Sequence, residues 1–141
     1  EIQKRSLSNR VVLHSFDWKL LEECFLIAPE MPRSYLSQLP ESSDDPFDTP
    51  TEETSPDFAS FNCSIPEAIQ AAGGHLWCPY FKDITVELVT EAHNLGLPVC
   101  TWTVNEVEDI ENMIDMGIDG IITDYTDRAK KIFKSRGLSW Q

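Results

Sequence analysis

The residues best suited to chemistry stand at the ends of apolar runs. In GLPVCTWTVN (Gly96–Asn105) a β-branched run leads to Trp102 and Asn105, and in GIDGIITDY (Gly117–Tyr125) a second run ends at Asp124. NRVVLHSFDW (Asn9–Trp18) leads in the same way to Ser15 and Phe16. An indole offers a flat apolar wall and one N–H donor, so Trp102 suits the wall of a ligand pocket better than a buried core. Phe16 suits the same wall, or packs beneath a loop. Ser15 is better fitted to cap a turn than to hold a ligand, and Asn105 to fix the loop that follows it. A lone carboxylate such as Asp124 more often caps a turn or pairs with a neighbour than binds a metal ion. Asp119, between two glycine-flanked positions, suits a tight turn.

Histidine is the usual general acid or base near neutral pH, and this chain has His14, His75 and His93. His93 falls on a predicted helix with no partner one turn on, and reads as a surface residue. His14 lies within a predicted strand and His75 opens an extended segment. The cysteines are Cys24, Cys63, Cys78 and Cys100. Their spacing matches no CxxC metal pattern, and apolar surroundings favour free buried thiols over disulfides. That composition favours a reducing compartment, and the cytoplasm is the expected location.

These residues need a scaffold, and the totals provide for one. The chain has 141 residues, the size of one common domain, and is 41% hydrophobic. Its formal charge is −13, from 11 basic and 24 acidic residues. Such a balance excludes nucleic-acid backbones as partners, because phosphates need clustered positive charge. An anionic small molecule would need a local cation. No apolar run approaches the roughly 20 residues that span a bilayer. The chain opens on Glu1 rather than Met, as a piece of a longer protein would.

The elements alternate. Val11, Val12 and Leu13 predict a short strand buried on both faces. DWKLLEECFLIAPEMP predicts a helix with Asp17 as N-cap, Leu20, Leu21, Cys24 and Phe25 on one face, and Pro29 and Pro32 as the stop. Residues 37–60 differ: seven acidic residues and Pro40, Pro46, Pro50 and Pro56 predict a solvated acidic, Pro-rich loop. SIPEAIQAAGG carries a capping box, Ser64 with Glu67. HLWCPYF predicts an extended segment, and Thr85 to Gly96 a helix with Leu88, Val89 and Ala92 on one face. Strand, helix and strand follow from Leu97 to Tyr125, with Val107, Ile110, Met113 and Ile114 as the helical stripe. A last helix carries basic residues towards its end. Alternation of this kind predicts an α/β fold with a parallel sheet and right-handed crossovers. About four βα units are present. Half of an eight-unit barrel of about 250 residues fits that count, and so does an open doubly wound sheet.

The spacing of WTVN and GIDGIITD is more specific. Together with VVLHSFDW and ITVELVTEAHNLGLPV, it resembles the C-terminal part of the glycerophosphodiester phosphodiesterase family. The resemblance covers nearly all of the chain outside the acidic loop. It implies the C-terminal half, about strands 5–8, of a (β/α)8 TIM barrel, so that residues 1–141 form a partial phosphodiesterase domain. It implies hydrolysis of glycerophosphodiesters to an alcohol and glycerol 3-phosphate, with a divalent cation, Ca or Mg, in the complete enzyme. It implies that Trp102 and Phe16 line the pocket for the glycerol part of the substrate. The family's His-Arg-Gly motif, its paired catalytic histidines and its Glu-x-Lys strand have no counterpart here, so no catalytic residue and no metal ligand is assigned to this chain. It is expected to be inactive alone. Thr126 stands where the family usually has Pro.

A half-barrel leaves two sheet edges unpaired, and open edges favour association. Self-association through those edges is therefore expected. The alternative to an enzyme segment is a non-catalytic interaction or regulatory module derived from one.

Overall fold

Asp17, Ser64 and Thr85 each fix the start of a helix, as their positions before apolar stripes predict. Asp17 Oδ1 accepts the Leu20 N–H at 2.9 Å, and Thr85 Oγ1 accepts that of Leu88 at 3.3 Å. Ser64 and Glu67 form the full reciprocal box. The helices so begun are α1 (Trp18–Ile27), α2 (Ile65–Ala71) and α3 (Val86–Asn94), followed by α4 (Val107–Met116) and α5 (Thr126–Ser135). Gly117, at φ 80°, closes α4 in the left-handed conformation that favours glycine. α5 begins at Thr126 with no side-chain cap. The computed structural model describes residues 2–5, 7, 10–39, 42 and 61–139.

Between the helices lie five short strands: β1 (Leu13–Ser15), β2 (Arg33–Ser37), β3 (Leu76–Pro79), β4 (Cys100–Thr101) and β5 (Gly120–Ile121). β2 pairs in parallel with both β1 and β3, and β4 pairs in parallel with β5. Parallel bridges at Trp77–Val99 and Tyr80–Trp102 join the two groups. The spatial order therefore follows the chain order, as in a barrel wall and unlike a doubly wound sheet, where the order reverses. The described residues form a partial α/β barrel.

The structure departs from expectation in three places. It holds a fifth strand, β2, that hydrophobic patterning does not predict. The first strand runs over Leu13–Ser15 rather than Val11–Leu13, and Val12 is 45% exposed. His14 is exposed and Leu13 and Ser15 are only partly buried, so burial on both faces is not achieved. Of the acidic loop expected over residues 37–60, Ser37 closes β2, and residues 40, 41 and 43–60 lie outside the described residues.

Side chains alternate across a strand. Tyr35, Trp77 and Val99 stand in register on the helix side and are fully buried against Trp18, Ile69, Val89, Ala92, Ile110 and Met113. Arg33 faces the same layer. Its guanidinium donates to the Ala72 and Gly73 carbonyls at the end of α2, at 3.3 and 2.6 Å, and lies 4.2 Å from the Phe25 ring centroid. A cation at a helix C-terminus opposes the helix dipole. This buried charge therefore finds partners without a carboxylate.

Candidate functional site

The other face of the sheet carries His14, Ser34, Leu36, Cys78, Cys100 and Gly120, related by register. The same alternation places Phe16, Tyr80 and Trp102 above them at the strand exits. β2 and β3 lie between β1 and β4, yet the Phe16 and Trp102 rings meet edge to face, with centroids 5.3 Å apart and planes at 86°. Tyr80 packs on the other side of Trp102 at 5.2 Å. The sheet therefore curls towards this face, and the three aromatic rings form one wall at its C-terminal rim. Trp102 is half-buried, and its Nε1–H donates to the Cys78 carbonyl at 2.9 Å. Its N–H donor is thus spent on the scaffold, so what Trp102 offers a ligand is ring surface.

Ser15 Oγ accepts the Asp17 N–H at 3.0 Å and so acts as the turn cap its position predicts. His14 Nδ1 lies 2.8 Å from Ser34 Oγ. Partial burial of the ring lowers the His14 pKa from its ordinary value of 6.5. Cys78 and Cys100 stand side by side across β3 and β4, and a hydrogen bond between the two free thiols raises the pKa of Cys78 and lowers that of Cys100. Gly120 leaves room for that pair, since a Cβ there would stand 3.0 Å from Cys100 Sγ. All four cysteines are free, and Cys63 is exposed rather than buried.

Asn105 and Asp124, at the exits of β4 and β5, form a clip. Asn105 Oδ1 accepts from the Asp124 N–H at 3.0 Å and from Thr123 Oγ1 at 3.1 Å, and Asn105 Nδ2 donates to Asp124 Oδ2 at 2.9 Å. Arg128 donates to the Asn105 carbonyl. Both residues hold the loops, as their residue types predict. His93 is exposed, as expected, but it is not unpartnered: its Nε2 lies 2.8 Å from Asp119 Oδ2, and that carboxylate also accepts the Val99 N–H at 2.8 Å. Asp119 thus ties α3 to the sheet.

The sequence model of the glycerophosphoryl diester phosphodiesterase family matches residues 1–128. The chain belongs to this family. A candidate glycerophosphoryl diester phosphodiesterase from Silicibacter pomeroyi DSS-3 is 51% identical in its crystal structure, with a TM-score of 0.86 over 99% of this chain and 43% of that one. A glycerophosphodiester phosphodiesterase from Bacillus altitudinis is 43% identical over 68 residues, which are 47% of this chain and 26% of the relative. An Oleispira antarctica phosphodiesterase, solved in complex with the product sn-glycerol-3-phosphate, shares the fold at a TM-score of 0.67 and 16% identity, over 94% of this chain and 46% of that one. The chain spans less than half the length of each of these phosphodiesterases.

In this phosphodiesterase-family chain the described residues contain no group of three or more His, Cys, Asp or Glu side chains that could hold a metal ion. The carboxylates near the strand exits are engaged otherwise. Asp17 caps α1, Asp83 accepts the Leu39 N–H at 2.7 Å, and Asp124 takes Asn105. The residues described here do not fit a divalent cation site. No described helix is long and apolar enough to cross a membrane. Tyr80 escapes a reading of the sequence. The signal that could have found it is its place at the end of LWCPY, in step with Cys78 and in register with Trp102.

Proposed function

We propose that this chain forms the substrate-binding wall of a glycerophosphodiester phosphodiesterase, an enzyme that hydrolyses glycerophosphodiesters to an alcohol and glycerol 3-phosphate. One observation carries the reading: Phe16 and Trp102, from strand exits far apart in the sequence, meet on the concave side of the sheet of a chain that belongs to this family. Flat apolar rings suit the carbon skeleton of glycerol, which gains from leaving water without requiring a donor. The wall excludes water on one side of the substrate and orients it.

Proton transfer is assigned elsewhere. His14 is committed to Ser34 and His93 to Asp119, and His75 stands at the opposite, N-terminal end of β3 from the wall. Neither the general acid and base nor a Ca or Mg site is placed among the described residues. Incubation of the pure chain with glycerophosphocholine and either ion should release no choline. Measurable turnover would overturn this division of labour.

The open flanks support a second property, self-association. Val12, Leu20, Phe25, Leu26 and Ile27 expose large apolar side chains beside β1, with Leu26 82% and Ile27 81% accessible. Apolar exposure next to a strand edge that is unpaired among the described residues favours burial against another chain.

A further inference from the structure

Strand register brings two thiols together. Parallel bridges join Trp77 to Val99 and Tyr80 to Trp102, and at the same offset Cys78 lies opposite Cys100. Paired residues of adjacent strands point to the same side of a sheet, and these two thiols are hydrogen-bonded. Adjacent strands lie about 4.8 Å apart, inside the span of about 4.4–6.8 Å between the Cα atoms of disulfide-linked cysteines. A bond between the two sulfurs therefore needs no large backbone movement. On the far side of Cys100 stands Gly120, where even a Cβ would come 3.0 Å from Cys100 Sγ. No side chain at that position wedges the thiol, so it has room to turn towards Cys78. The two differ in access: Cys78 is fully buried and Cys100 is partly exposed. The hydrogen bond from Cys78 lowers the Cys100 pKa, and the thiolate is the form that reacts. An accessible thiol of this kind beside a second cysteine is the arrangement found in redox sensors.

We propose that Cys78 and Cys100 are an oxidation site, at which Cys100 reacts with a small peroxide and Cys78 resolves the product into an intramolecular disulfide. The Cys100 thiolate attacks one oxygen of hydrogen peroxide, the O–O bond breaks, and the departing hydroxide takes up a proton to become water. Cys100 is left as the sulfenic acid. The Cys78 sulfur then attacks the Cys100 sulfur, the S–O bond breaks, and the hydroxyl leaves with the Cys78 proton as a second water. The two thiols lose two electrons and the peroxide gains them. Exchange with a small thiol restores the pair. The bond would lie one step below the rings of Tyr80 and Trp102 on the same strands. The inference stands on the register of β3 and β4 and does not depend on the substrate wall.

The test treats the folded full chain with hydrogen peroxide and maps the links by peptide mass spectrometry. The Cys78 and Cys100 peptides should be joined, at the same rate in dilute and in concentrated chain, and dithiothreitol should separate them. Cys63 is exposed, so Cys63→Ser should leave the fold intact and the yield of the link unchanged. Cys78→Ala removes the resolving thiol and should leave Cys100 as a sulfenic acid that dimedone captures. In urea, where register is lost, the preference for this pair should vanish. Survival of both thiols under peroxide that has already oxidised Cys63 would overturn the proposal. So would a link formed through Cys63 in place of this pair, or oxidation of Cys100 in the unaltered chain without a bond to Cys78.

Discussion

The Phe16–Trp102 pair permits a direct test of the curled sheet. Adjacent strands lie about 4.8 Å apart, so a flat sheet would separate the exits of β1 and β4 by about 14 Å and the two rings could not touch. They stand at 5.3 Å, edge to face. Such a pair contributes about 0.5–1.5 kcal/mol beyond the area it buries. Trp102→Leu removes that contact, the Tyr80 contact at 5.2 Å and the 2.9 Å bond to the Cys78 carbonyl. At about 0.5–1.5 kcal/mol for each, the single substitution should cost about 2–4 kcal/mol. Phe16→Leu loses one of the three and should cost about 1–2 kcal/mol. In urea unfolding followed by circular dichroism, the double variant should therefore be more stable than the sum of the single losses predicts, by about 0.5–1.5 kcal/mol. Phe25 lies on the helix side against Arg33, so Phe25→Leu combined with Trp102→Leu should be additive within about 0.3–0.5 kcal/mol. Additivity of Phe16 with Trp102 at that same level would refute the curled sheet, and with it the wall.

Two further outcomes follow from other parts of the molecule. Sedimentation at micromolar concentration should show a dimer or larger species, shifted towards monomer by Leu26→Lys with Ile27→Lys; a clean monomer with a sharp melt in the unaltered chain would count against association through the β1 side. His14 has a folded-state pKa below 6.5, so the unfolded chain binds its proton more readily, and the stability this brings is complete above about pH 6.5 and lost as pH falls towards the folded value. Tm of the unaltered chain should accordingly drop relative to His14→Asn between about pH 7.5 and 5, and a constant difference would remove the argument.

Local rules made the helices legible. The caps at Asp17, Ser64 and Thr85 and the stripe of Ile110 and Met113 are each decided by residues within a few positions of one another. β2 was not legible for the opposite reason. Its five residues are all buried, yet Arg33, Ser34 and Ser37 are polar. They tolerate burial because α2, His14 and the Trp77 indole supply partners from distant parts of the chain. The convergence of Phe16 with Trp102 was expected from family resemblance, since no local pattern links the two. The partner of His93 and the position of Tyr80 were hidden similarly, because both depend on strand register.

The charge of the chain sharpens what the wall must do. A phosphodiester brought to a molecule with 24 acidic residues meets unfavourable potential from every side that is not screened. The carboxylates nearest the wall are partly offset where they stand: Asp17 by the first turn of α1, Asp83 by a backbone N–H, and Asp124 by Asn105. Each hydrogen bond fixes where the charge lies. What the rim then presents, among the described residues, is ring surface. Apolar contact scarcely depends on salt, whereas repulsion of an anion by the net charge weakens with it. Glycerol binding should therefore be nearly independent of ionic strength, while glycerol 3-phosphate binding should strengthen as salt relieves the overall repulsion. That difference in salt response, read by titrating both ligands at low and high ionic strength, separates contact with the wall from the field of the whole chain; equal salt dependence for the two would refute it.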